Sequence, residues 1–254
     1  EEYGCPGNYV AGANIAGFVK VADAMLAQVA GIGGLRPDPA RGRGLVYKAV
    51  KPGQDRRIDL PHASQLLIAA PNPRTDEYPD TEAEEHVEEL EAALRTYRPQ
   101  LVRGQHLRVV ASWPQLRQTL TAQAPDVLYY YGHADANRQL ARLIFPDAET
   151  GVRAVPVADL AACLARLPQP PSIVYLNCCH GDAGGVLGAG GQLACLVPAV
   201  VSNRTMAFVR CARLQARRFL EQTLLFGAAP HEAVRELYGL GDEDEFTFSD
   251  PRWM

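Results

Sequence analysis

The chain has 254 residues, enough to bury a substantial core as one large domain or as one domain with a small appendage. Apolar residues make up 47% and charged residues 21%, ordinary for a globular protein, and no apolar run approaches the roughly 18 residues needed to span a bilayer. A net charge of −4 argues against nonspecific nucleic-acid binding.

In chain order, Glu1-Glu2-Tyr3-Gly4 is no signal peptide and reads as the interior of a longer protein. Ile15, Phe18, Val19, Ala22, Met25, Leu26 and Val29 fall at helical spacing, and the Gly/Pro/Arg stretch from Gly31 to Gly44 reads as a loop. Leu45–Val50 reads as an edge strand. Residues 1–58 are therefore expected to form a helix, loop and strand packed on a main domain of residues 59–254. From residue 59 strands and helices alternate. The strands are Leu66–Ala70, Leu107–Ala111, Val127–Tyr131 and Ile173–Asn177, and the helices Thr81–Thr96, Pro114–Ala122 and Pro156–Arg166. Thr81 with Glu84 has the spacing of a capping box, and Pro114 suits a first helical turn. Leu143–Phe145 and Val152–Val155 read as a hairpin. A strand at Pro198–Ser202 and helices near Ala207–Leu225 and Pro230–Leu237 follow, and Asp242–Glu245 reads as a solvated acidic run. Alternating βα units imply a parallel sheet with helices on both faces, an α/β fold.

Two of these strands end in reactive residues. Val127-Leu128-Tyr129-Tyr130-Tyr131 runs into Gly132-His133, and Ile173-Val174-Tyr175-Leu176-Asn177 runs into Cys178-Cys179-His180-Gly181. Sites in open α/β sheets lie beyond the carboxyl ends of the strands. Two such strands side by side would set an imidazole next to a thiol, the minimum for a cysteine nucleophile and its base. The cysteines fall at 5, 163, 178, 179, 195 and 211, with no CxxC pair. Reduced thiols in a cytoplasm are the expectation.

His133 precedes Cys179 by 46 residues (179 − 133). Caspases place their His roughly 50 residues before a turn that keeps the Cys and the Gly. The chain resembles a CHAT domain, a bacterial branch of the caspase-like peptidases related to separase. The resemblance rests on Gln65–Pro73 as a first strand with its Asn-Pro turn, the acidic helix Glu82–Leu94, Pro125-Asp126-Val127 ahead of the His strand, Leu176-Asn177-Cys178-Cys179, and Val197–Val201. It covers about residues 60 to 240 and is specific as a set.

The resemblance implies a caspase-like fold and a cysteine endopeptidase with catalytic His133 and Cys179. Strand alternation puts Cys178 and Cys179 on opposite faces, and the family register selects Cys179, leaving Cys178 as a buried neighbour. His180 competes as base, but sequence neighbours rarely align for proton transfer. It is read as an exposed turn residue that can touch substrate. The resemblance assigns the oxyanion donors to the backbone N–H groups of Cys179 and Ala134. Ala134 stands where the family usually has Gly, a departure that restricts positive φ. Asp135 and Asp182 are candidate substrate-binding carboxylates, or ordinary turn residues. The segment Gly184–Gly191 lacks the ending of a phosphate loop and reads as a mobile loop beside the nucleophile. A metal site from His133, Cys178, Cys179 and His180 fits no common zinc spacing, and no cofactor is expected. The implied partners are a protein substrate and a fused or bound sensor that switches the enzyme on, with homo-oligomers formed through that activator. Bacterial defence, CRISPR-linked systems included, is the implied context. The rival class is a catalytically inactive caspase-like interaction module. A third alternative is transferase or amidase chemistry by the same dyad on a small molecule.

Overall fold

The computed structural model describes residues 45–49 (backbone only), 64–137, 140–178, 189–194, 196–203 and 209–243. The helix expected within residues 9–29 and the loop at 31–44 lie outside the described residues. The elements are β1 (Leu45–Ala49), β2 (Leu66–Ala69), α1 (Ala83–Tyr97), β3 (Leu107–Val110), α2 (Trp113–Ala122), β4 (Val127–Tyr131), β5 (Ala134–Asn137), β6 (Leu140–Asp147), β7 (Gly151–Pro156), α3 (Val157–Leu164), β8 (Ile173–Asn177), α4 (Ala189–Ala194), β9 (Ala199–Asn203), α5 (Val209–Leu220) and α6 (Pro230–Glu243).

The central sheet has the order β1-β9-β8-β4-β2-β3. Five strands run parallel, and β1 lies antiparallel to β9 at the edge. A second sheet, β5-β6-β7, is antiparallel. It contains the expected hairpin plus one strand the sequence did not announce, β5, which follows directly on His133.

The parallel strands are apolar on both sides because both sides are covered. On one face Leu66, Ile68, Val127, Tyr129, Tyr131, Ile173, Tyr175 and Val201 meet α1, α5 and α6. On the other face Leu67, Leu128, Tyr130, Val174, Leu176, Cys178 and Val200 meet α2, α3 and α4. This is the caspase-like α/β arrangement, a mainly parallel central sheet flanked by helices on both faces. Among the described residues no helix is long and apolar enough to cross a membrane.

Three local expectations need correction. Thr81 does not cap α1. Its N–H and hydroxyl both donate to Asn72 Oδ1, and the residue before the helix is Glu82, with left-handed φ 53° and no side-chain cap. Side-chain capping occurs instead at α2, where N-cap Ser112 Oγ accepts from Gln115 N–H, while Gln115 Oε1 accepts from the N–H of Ala111, one residue before the cap. The loop expected to reach Gly191 ends earlier, because Ala189 begins α4 and is buried with Leu193 under the sheet. Finally, α5 is not one continuous α-helix to Leu225. It passes into a π-helical turn at Glu221–Leu225, where buried Glu221 is paired with Arg217. The last helix reaches Glu243, into the acidic run.

A buried polar chain crosses the α1/α5 face of the core. His86, 1% exposed, shares a 2.8 Å hydrogen bond between its Nε2 and the Tyr129 hydroxyl. Asn177 Nδ2 donates to the same hydroxyl at 3.0 Å and to the Ala212 carbonyl at 2.8 Å, and Asn203 Nδ2 donates to Asn177 Oδ1 at 2.8 Å. Burial, and then the nearby Arg213 cation, push the His86 pKa down to about 4. The unfolded chain takes up this proton near pH 6.5, and the folded one only near pH 4. The stability that neutral His86 contributes is therefore present above about pH 6.5 and is lost as the pH falls toward 4. We expect denaturant melts of the unmodified domain to lose about 3 kcal/mol more than His86→Gln across that interval. Parallel pH profiles for the two proteins would contradict it.

Candidate active site

His133 sits two residues past the end of β4, at the carboxyl edge of the sheet. Gly132 permits its approach. A Cβ at Gly132 would lie 3.1 Å from both Pro71 Cγ and the Pro71 carbonyl oxygen, and 3.2 Å from the Tyr130 hydroxyl. The backbone of His133 is then fixed twice through its carbonyl, which accepts from Tyr130 Oη at 2.6 Å and from Ile144 N–H at 3.0 Å. Tyr130 Oη in turn accepts from Ile144 N–H.

The imidazole is half-buried. Its Nε2 lies 2.7 Å from the Pro79 carbonyl, which can only accept, so Nε2 carries a proton, and in the neutral ring Nδ1 keeps the lone pair. Tyr78 packs beside it with ring centroids 5.5 Å apart. A carbonyl thus orients this histidine, taking the place a carboxylate has in Ser-His-Asp triads.

The loop that presents Pro79 is held by Asn72. Asn72 Nδ2 donates to Asp80 at 2.8 Å and to Glu84 at 3.0 Å, while its Oδ1 accepts from Thr81. Asp80 also accepts from Glu82 N–H at 2.8 Å, and Arg74 pairs with both Asp80 and Glu84. Among the described residues Arg74 and Glu82 are the non-glycines with positive φ, and both flank this loop. Such backbone costs on the order of 1 kcal/mol each and persists where surrounding bonds over-determine it. Here Arg213 clips Glu82 and Glu89, tying the loop and α1 to α5.

The second reactive strand lies next to the first. β4 and β8 pair in parallel with Tyr131 opposite Asn177. Cys178 is 2% exposed and belongs to the α2–α4 face, the buried position expected for it. Cys179, His180 and Asp182 lie outside the described residues. Ala134 opens β5, paired with Leu143, and carries no positive φ, so its methyl is compatible with the backbone there. Asp135 forms an ion pair with Arg142 directly across β5 and β6. Its carboxylate is thus already partnered, while remaining close enough to act electrostatically on the Tyr78 hydroxyl. Among the described residues no cluster of His, Cys, Asp or Glu assembles as a metal site. Cys211 is a half-buried thiol on α5 whose pKa burial pushes up.

Asn72, Pro79, His86 and Asn203 were not singled out as site residues from sequence. Only the Asn72-Pro73 turn carried a signal, through the family resemblance. No family model matches the chain, and no curated protein matches its sequence.

The carbonyl-anchored histidine can be tested directly. Nitrogen-15 NMR of the His133 ring should show protonated Nε2 and unprotonated Nδ1. Gly132→Ala should cost about 1–3 kcal/mol of stability, because the new methyl forces Pro71 and the Tyr130 hydroxyl to shift by a few tenths of an ångström, and should blur that tautomer. An unchanged ring spectrum in a fully stable Gly132→Ala protein would refute the account.

Proposed function

We propose that the chain is a cysteine endopeptidase of the caspase-like class, with Cys179 as nucleophile and His133 as base. The observation that carries this reading is the register of β4 and β8. Tyr131 and Asn177 are paired, and residues 133 and 179 each follow two positions later. On the endopeptidase reading, two neighbouring strands whose paired end residues each precede a reactive residue by two positions are what a Cys–His dyad requires. The free Nδ1 of His133 supports the base role, because its other nitrogen is committed to Pro79.

In this mechanism Nδ1 takes the proton from Cys179 Sγ as the sulfur bonds to the scissile carbonyl carbon. The N–H groups of Cys179 and Ala134 hold the oxyanion. The C–N bond then breaks, and the protonated His133 gives its proton to the leaving amine. Water, deprotonated by His133, cleaves the thioester and restores the thiol. The Ala134 methyl is no obstacle, since the residue occupies ordinary strand geometry. His180, Asp135 and Asp182 are the candidate substrate contacts, and the Arg142 partner of Asp135 would have to be shared or displaced. Activation by a fused or bound sensor and a defence role follow from the CHAT resemblance alone, and a cytoplasmic setting from the cysteine pattern.

Incubation with a proteome, followed by mapping of new N-termini, tests the activity. Cys179→Ala and His133→Ala should each abolish new termini while leaving the melting profile intact. The double variant should be no worse than either single one, since residues acting as a unit are not additive. Iodoacetamide should label Cys179 ahead of buried Cys178 and of Cys211, whose thiol pKa burial pushes up. Labelling of Cys178 in place of Cys179 would sink the register.

A further inference from the structure

The polar chain His86–Tyr129–Asn177–Asn203 has a role that core packing does not explain. Asn177 is 2% exposed at the end of a central strand whose other residues are apolar. An apolar residue would fill this place without burying an amide. Instead the two Nδ2 protons go to Tyr129 Oη and the Ala212 carbonyl, and Oδ1 accepts from Asn203. Tyr129 Oη accepts from Asn177, so its own proton is available for the Nε2 of neutral His86. One side chain thereby ties together the middle of β4, the carboxyl ends of β8 and β9, the first turns of α5 and, through Tyr129, helix α1. Two residues further along the chain is Cys179.

We infer that Asn177 is a positioning residue for the thiol turn, and that His86 and Tyr129 hold it in its orientation. The inference rests on the endopeptidase reading. Fully satisfied buried networks specify geometry, because every alternative side-chain orientation leaves a buried donor or acceptor unmatched. Asn177 does not touch the reacting atoms in this scheme. It fixes the end of β8, and on the endopeptidase reading that end sets how the thiol approaches the anchored His133.

The test needs no knowledge of the substrate. The probe is iodoacetamide, with alkylation of Cys179 followed by peptide mass spectrometry between about pH 5 and pH 10. Cys178 and Cys211 serve as internal references. The unmodified protein should show a Cys179 rate that depends on His133, read against His133→Ala. Asn177→Leu should lower the Cys179 rate at neutral pH by about tenfold or more and move its pH profile toward that of His133→Ala. Tyr129→Phe keeps the ring and loses the hydroxyl, and should have a smaller effect in the same direction. His86→Leu should match Tyr129→Phe, whereas His86→Gln, which keeps a polar atom near the Nε2 position, should restore the rate. If Asn177→Leu fails to fold, the Tyr129→Phe variant and the His86 pair decide. A His133-dependent rate that all these variants leave untouched would overturn the positioning role and leave the peptidase reading standing. A Cys179 rate indifferent to His133 in the unmodified protein would overturn both.

Discussion

Everything at the carboxyl edge depends on the register of β4 against β8. A slip by one residue would set Tyr131 opposite residue 176 or 178 in place of Asn177 and turn every side chain of one strand to the wrong face. The register is protected on both sides of the sheet, because each strand is buried on both faces and its alternate residues belong to separate cores. It is also pinned by particular contacts. The rings of Tyr129 and Tyr175, which are paired across the two strands, lie 5.2 Å apart. Asn177 bonds to Tyr129 across the same pair. Slippage would break a packed aromatic contact and strand a buried amide together, and each is costly in a buried core.

The second constraint is the β2–α1 loop. A carbonyl is a useful anchor for an imidazole only if it cannot turn away. Two left-handed residues, Arg74 and Glu82, and the four-way bonding of Asn72 hold the loop in one shape. The Arg213 clip then carries the same rigidity to α5, on the far side of a groove of about 880 Å³ between α1 and α5. Buried His86 lies at the floor of that groove, so the inner polar chain ends beneath it.

The alternation of apolar strands and helical periods in the sequence corresponds closely to the sheet and its layers. Hydrophobic period is what burial on two faces requires, so β2, β4, β8 and α1 to α3 are legible to within a few residues. The failures are places where two patterns of equal local quality compete. Thr81-x-x-Glu84 and Ser112-x-x-Gln115 have the same capping spacing, and tertiary context decides between them. Asn72 and Tyr131 claim Thr81 from outside the helix, whereas Ser112 is free to cap. Strand β5 was missed because Ala-Asp-Ala-Asn has no strand-forming side chains and is recruited by β6. His133 was legible because it ends an apolar run. His86 was not, because a histidine on an acidic helix resembles a solvated residue until Tyr129 is found beneath it.

Three consecutive tyrosines in a central strand are the clearest case of function read backward from packing. Tyr129, Tyr130 and Tyr131 are all buried, and phenylalanine would fill the same volume. Each hydroxyl, however, bonds to a different element. Tyr129 meets His86 of α1 and Asn177 of β8. Tyr130 holds the His133 carbonyl and the Ile144 N–H of β6. Tyr131 donates to the Thr81 carbonyl, at 2.8 Å, in the loop that carries Pro79. Burial pushes all three phenols well above their ordinary pKa, so none ionises in the neutral range and each keeps its proton for these bonds. With phenylalanine in their place the core would pack alike, but the thiol strand, the histidine and its carbonyl anchor would each lose a tie to β4. The hydroxyls therefore organise the edge of the sheet, while the rings beneath them build the core.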